Sequence, residues 1–360
     1  MKYSVQKPVY DIKKSWEQNY KNGPFFTGAY PPLPQDKNWT FLGHKVISPL
    51  GIAAGPLPNA KWLLTYANLG FGSVIQKTVR STAHKSHEFP NVLFVEVRGK
   101  LDTSDKPLVG STKTSKPLAK ISITNSFGNP CYAPSVWARE TAKTRKNIND
   151  GQVFGVSVYG TSGEKTTLKQ LAADYAACAA LAKKSGAMFI EANLACPNVS
   201  GAENPFLYKD ADAVSQITKA IKSKIGKTPL LLKIGYFEKY QDLVNALKKS
   251  KGNFEGVSAI NTIPKKIVTK SGKQALPGRD VSGVCGAAIK QFGIKTVKNL
   301  VRARRELKMK FEIIGVGGVM KPKDAVDYLK AGADHVQSAT AVMWNPYLAY
   351  EFNSKYPAPK

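Results

Sequence analysis

The sequence predicts an α/β protein folded as a (β/α)8 TIM barrel. Apolar runs of strand length alternate with amphipathic helical stretches, and eight such strands can be counted. The polar residues that interrupt this pattern gather at the C-terminal tips of the strands, where barrels build their sites. The competing fold, an open doubly wound sheet, would carry Gly-x-Gly-x-x-Gly after its first strand, and none follows the first strand here.

The chain has 360 residues, 42% hydrophobic and 22% charged, ample for a full core in one large domain or two smaller ones. No apolar run approaches the ~18 residues of a membrane span. The first 22 residues are polar and lack the apolar core of a secretory signal. Four cysteines without a CxxC pair or His-rich companion argue against a zinc site or disulfide framework, so no metal is expected and a reducing cytoplasm is. The formal charge of +28 comes from 53 basic against 25 acidic residues. Its lysines are spread along the whole chain. That pattern suits a solvated basic surface, with polyanion binding only nonspecific and weakened by salt.

Residues 1–44, with Tyr30-Pro31-Pro32-Leu33-Pro34, read as an irregular, partly extended arm. The barrel domain spans 45–360. Its first strand lies in 45–55 and ends in Ala53-Ala54-Gly55. A helix over 59–69 follows, with Gly70 at its C-cap position. Ser73 to Thr78 forms the second strand, with Lys77 and Thr78 at its tip.

From 79 to 151 the rhythm breaks. Short β-like pieces at 92–97 and 121–124, polar turns near 102–116 and a helix over 137–147 make a functional insertion, about 83–150, rather than slack. The rhythm resumes with strands at 153–158, 189–194, 230–234, 256–261, 312–316 and 335–338. Helices at 167–185, 211–225, 240–249, the stretch up to 307, and 322–331 separate them. Residues 264–286 read as a basic, glycine-containing loop.

The fourth strand ends in Asn193-Leu194-Ala195-Cys196-Pro197-Asn198. A thiol in a polar turn past a strand tip can serve as base or nucleophile, although a free cysteine is more often a packed structural thiol. Cys131 can also approach the site, whereas Cys178, within a helix, belongs to the core. Lys77 and Lys233 each end an apolar strand, where an ammonium is costly unless it meets an anion or an electron-rich ring. Gly317-Gly318 after strand seven, paired with Ala339-Thr340 at the tip of strand eight, fits a phosphate held by backbone N–H groups. Asn125, Asn193, Asn198 and Asn261 each offer a donor and an acceptor, enough to read a flat ring of alternating C=O and N–H groups.

These motifs, in this order, resemble the dihydroorotate dehydrogenase family in its class 1, cysteine-base form, from about residue 47 to 349. The carriers are Asn193 to Val199, Ile75-Gln76-Lys77-Thr78, Ile123-Thr124-Asn125-Ser126-Phe127-Gly128, Leu232-Lys233, Ala259-Ile260-Asn261-Thr262, Gly315 to Val319 and Ala339-Thr340. The resemblance implies FMN over the barrel mouth with dihydroorotate stacked on it. Hydride passes to the flavin, and Cys196 takes the ring proton.

It further implies substrate contacts from Lys77, Asn125, Phe127, Gly128, Asn193, Asn198, Asn261 and Thr262. Cofactor contacts come from Ala53, Ala54, Lys77, Thr78, Asn193, Lys233, Gly286, Gly317, Gly318, Ala339 and Thr340, with Lys233 favouring the charge of reduced flavin. A soluble dimeric enzyme of pyrimidine synthesis with fumarate as electron acceptor is the expectation. A related FMN enzyme acting on another dihydropyrimidine is the alternative. The sequence departs from the family at Phe127, Ala195 and Ala339, at Asn129-Pro130-Cys131, and in a longer stretch over 83–120.

Overall fold

The computed structural model describes residues 7–104, 106–196 and 206–356. The arm contains helix α1 (Trp16–Asn22), opened by a capping box in which Ser15 and Gln18 satisfy each other's backbone N–H groups. A hairpin of β1 (Trp39–Phe41) and β2 (His44–Val46) follows, then β3 (Leu50–Ile52), α2 (Ala60–Ala67) and β4 (Ser73–Val79). The excursion after β4 holds β5 (Val92–Val95), β6 (Leu108–Ser111), β7 (Ser122–Asn125) and α3 (Pro134–Asn147).

Strands and helices then alternate as β8 (Val153–Val158), α4 (Leu168–Lys184), β9 (Phe189–Asn193), α5 (Ala211–Ile225), β10 (Leu230–Ile234), α6 (Tyr240–Lys249) and β11 (Gly256–Ala259). After β12 (Ile263–Val268) and β13 (Val281–Gly286) come α7 (Lys290–Glu306), β14 (Glu312–Val316), α8 (Pro322–Lys330), β15 (His335–Ser338) and α9 (Leu348–Lys355).

Eight parallel strands close in the order β3-β4-β8-β9-β10-β11-β14-β15, with β15 pairing back onto β3. The fold is the expected barrel. Its interior is filled by alternate residues of the strands: Ile75, Phe189, Leu231, Ile314 and Val316 form one buried cluster with Phe41. Phe41 comes from the β1–β2 hairpin and plugs the floor, stacked on His335 at 4.3 Å and edge-on to Phe189 at 5.3 Å.

Three expectations need correction. The first strand is short because Pro49, which has no N–H, separates β2 from β3. The arm is not all irregular, since α1 and β1 lie within it. Residues 264–286 are mostly strand: β12 pairs antiparallel with β13. The alternation of β12 is masked because a lysine occupies one of its buried positions, between Ile263 and Ile267. The ammonium of Lys265 donates to Asp102 at 3.4 Å and to the Ser104 carbonyl. Together β12, β13, β7, β5 and β6 close a second, smaller sheet. It delivers Val92, Ile123, Asn125, Cys285 and Gly286 to the cavity at the barrel mouth.

Candidate active site

The tips of seven barrel strands, from Ala53 after β3 to Ala339 after β15, converge on one cavity. Its polar rim comes from Lys77 and Thr78 (β4), Asn193 and Cys196 (β9 and just beyond), Lys233 (β10) and Asn261 and Thr262 (after β11). Strand alternation explains the set, because Lys77, Asn193 and Lys233 lie two residues beyond the inward-facing Ile75, Glu191 and Leu231.

Every expected site residue lines this cavity except three: Cys131 is buried off it, its Sγ donating to the Thr82 carbonyl at 3.3 Å, and Gly128 and Asn198 are the others. Gly128 lies off the cavity, in a left-handed turn with φ +75°, where a Cβ would strike the His87 ring. Asn198 falls outside the described residues.

Cys196 is buried, and its Sγ accepts a hydrogen bond from Asn129 Nδ2 at 3.0 Å. Asn129 holds a left-handed backbone at φ +53°, a conformation asparagine tolerates better than most residues. Lys77 lies over the Phe127 ring at 5.5 Å. Burial pulls its pKa down to about 8. The neighbouring Cys196 and Cys131 sulfurs partly oppose that fall, and the Arg80 guanidinium adds to it. Lys233 is likewise lowered by burial, with Glu191 resisting. Cys178 is buried in α4 as expected.

The asparagines are linked. Asn261 donates to Asn193 Oδ1 at 3.3 Å and also to the Ala195 carbonyl. Asn193 Nδ2 donates to Thr78 Oγ1 at 3.2 Å. Asn125 Nδ2 donates to Cys285 Sγ at 3.3 Å.

On the opposite side of the mouth, Gly317 and Gly318 take φ +116° and +67°. A Cβ on Gly318 would meet the Lys290 backbone at 2.8 Å. Among the described residues, no protein acceptor takes the backbone N–H of Gly317, Gly318, Ala339 or Thr340. A side-chain-free cradle with free donors suits an anion such as a phosphate.

Among the lining residues that sequence reasoning missed, four bring polar or reactive side chains. Gln337 is fully buried with neither amide atom hydrogen-bonded. Its signal was the alternation His335–Gln337–Ala339, which puts all three inside. Cys285 was hidden in the stretch read as loop. Asn129 was readable only as a turn residue. Tyr10 comes from the arm, pinned by Val9 N–H on the Met343 carbonyl at 2.8 Å and packed edge-on to Phe127.

Comparison with known proteins agrees with this geometry. The family model described as dihydroorotate dehydrogenase matches residues 105–352. A dihydroorotate dehydrogenase of Dictyostelium discoideum is 31% identical across 98% of this chain and 99% of its own length. The chain belongs to the dihydroorotate dehydrogenase family. Within that family, the catalytic subunit of the dihydroorotate dehydrogenase B (NAD(+)) of Methanocaldococcus jannaschii is 27% identical over 86% of this chain and 85% of its own. The corresponding subunit of Malacoplasma penetrans is 32% identical over 45% of this chain and 50% of its own. The matched segment of the family model carries Asn125, Cys196, Lys233, Asn261 and both halves of the glycine cradle.

Proposed function

We propose that this chain oxidises dihydroorotate to orotate for pyrimidine synthesis, using FMN held at the barrel mouth. The observation that carries the proposal is the meeting of Cys196, Lys77, Asn193 and Asn261 on one cavity, from segments up to 184 residues apart along the chain between Lys77 and Asn261. The residues present suit FMN: a glycine cradle with free N–H donors for its phosphate, and unpaired Gln337 and Thr262 side chains for polar ring atoms. When bound, FMN supplies the hydride acceptor.

The chain's own groups do the rest. Cys196 takes the proton from ring carbon 5 of the substrate, and Asn129 donates to its sulfur, a contact that favours the thiolate. The Lys77 ammonium holds the substrate carboxylate. Asn125, Asn193, Asn198 and Asn261 hold the pyrimidine ring, and Phe127 packs beside it. A dihydropyrimidine without a carboxylate leaves the Lys77 ammonium unpaired, which favours dihydroorotate over dihydrouracil.

The purified protein, mixed with dihydroorotate without oxygen, should show a yellow flavin spectrum that bleaches. A colourless preparation that cannot take up FMN sinks the proposal. Turnover with fumarate tests the acceptor we favour. Light scattering tests the homodimer. Among the described residues no helix is long and apolar enough to cross a membrane, and we place the enzyme in the cytoplasm, which fractionation of the source cells tests.

A further inference from the structure

Beneath the cavity lies an acid that the proposed chemistry does not use. Glu191 sits in the middle of β9, 1% exposed, on the same side of the strand as Phe189 and Asn193. Ser157, its register partner on β8, and Ser258 on β11 lie beside its carboxyl group; burial raises the pKa of that group, the Lys233 ammonium and the two hydroxyls oppose the rise, and Oε2 has no partner. Both serines are also tied upward. Ser258 Oγ accepts from the Lys233 ammonium at 3.2 Å. Ser157 Oγ lies 3.1 Å from Thr78 Oγ1, which accepts from Asn193, which accepts from Asn261.

An ionised carboxylate can only accept hydrogen bonds. A Ser157 hydroxyl that turns its one proton toward the carboxylate accepts from Thr78. Thr78 in turn accepts from Asn193 Nδ2, leaving Asn193 Oδ1 to face Asn261. The same logic makes Ser258 donate downward and leaves its lone pair for Lys233. Each donor along both arms points toward Glu191, so one buried charge sets the direction of every link. A buried ammonium keeps its proton only if a negative charge offsets the cost of desolvation.

We propose that Glu191 is a positioning residue: its carboxylate holds Lys233 charged at the cavity floor and orients the Asn193 amide. This inference rests on the flavin reading given above, and its test separates the two. The reference is the midpoint potential of FMN bound to the wild-type protein, beside Glu191→Gln, Lys233→Met and the double variant. A cation near the flavin favours its reduced, more negative form. Loss of an anion alone therefore raises the potential. Loss of an anion that also discharges Lys233 lowers it.

The expected result is a fall in Glu191→Gln, in the direction of Lys233→Met, that disappears or reverses when Lys233 is already Met. An unchanged or raised potential in Glu191→Gln overturns the proposal. Should that variant not fold, Ser258→Ala leaves both ionisable side chains in place and removes the hydroxyl that accepts from Lys233. A fall supports the proposal there, and no change overturns it.

A wild-type protein that takes up no FMN would instead defeat the flavin reading. In that case the apoprotein still decides the question through the Lys233 13Cε resonance. Among the described residues, the titratable groups around Lys233 are Glu191 on β9 and, lining the same cavity, Lys77 on β4, Cys196 beyond β9, Cys285 on β13 and Tyr10 from the arm; β11 offers only Ser258. Lys233 should release its proton at least about one pH unit lower in Glu191→Gln than in wild type, a tenfold change in its proton affinity. An unmoved titration overturns the inference.

Discussion

At the floor of the barrel, Phe41 stacks on His335, His335 Nε2 meets Ser73 Oγ at 2.9 Å, and Leu42 N–H donates to Glu312 at 2.7 Å. At the mouth, Lys77, Lys233 and Gln337 are also buried, yet Gln337 has no protein partner, and the fall that burial imposes on the two lysines is partly opposed by Cys196 beside Lys77 and Glu191 beside Lys233. Both ends bury titratable groups. The floor closes over His335 with the Phe41 ring from a hairpin and half-buries Glu312, so desolvation drives both toward neutral: His335 falls to about 3 and Glu312 rises to about 7. The mouth leaves open space beside its groups, with glycines and free N–H donors around it. Buried polarity that is packed over serves the fold, and buried polarity that faces a cavity awaits a ligand.

Four substitutions or titrations should break or sharpen that contrast. Cys196→Ala should slow flavin reduction by dihydroorotate about 10²- to 10⁴-fold near neutral pH, the usual range for losing a general base. FMN uptake and thermal midpoint should stay at wild-type levels, and rapid bleaching in this variant would remove Cys196 from the base role.

Phe41→Ala should do the reverse. It empties the floor and should cost about 3–5 kcal/mol by chemical denaturation. Orotate affinity, measured where the variant remains folded, should not move.

A third effect is a pH dependence. The Lys77 ammonium loses its proton above about pH 8 in the free site. Affinity for anionic orotate should then weaken as pH rises past that point, by at most about tenfold per unit. Lys77→Met should bind weakly at every pH. An orotate affinity flat from pH 7 to 10 would mean that Lys77 does not hold the carboxylate.

The smallest effects belong to the floor. His335 has its pKa depressed by burial, so the unfolded chain binds its proton first. Its contribution is present above about pH 6.5 and is lost as pH falls toward 3. Glu312 has its pKa raised, so the folded state holds the proton longer, and stability declines as pH rises from about 4.5 through 7. Denaturation across pH 4–8 should show Glu312→Gln removing that decline and leaving orotate affinity unchanged.

The legibility of the two ends differs in the same way. Most barrel strands and helices could be placed within a residue or two because period-2 and period-3.6 patterns are local. The chemistry of the fourth strand tip was legible because Asn193 and Cys196 interrupt an apolar run. Strands β12 and β13 were not, because the buried Lys265 breaks the pattern and its partners Asp102 and Ser104 lie about 160 positions earlier. Tyr10 gave no signal at all, since only docking of the arm against Met343 brings it to the cavity.

By itself, then, the sequence determined the eight-strand rhythm, the residue types at the strand tips and the glycine pair, because each is a property of neighbours along the chain. Closure of β15 onto β3 decided that those tips share one cavity. The smaller sheet decided that Asn125 and Cys285 face it, and the arm supplied Tyr10. Which buried groups keep a charge was likewise a tertiary matter. Desolvation and pairing depend on what lies across the barrel, and no local pattern of residues records that distance.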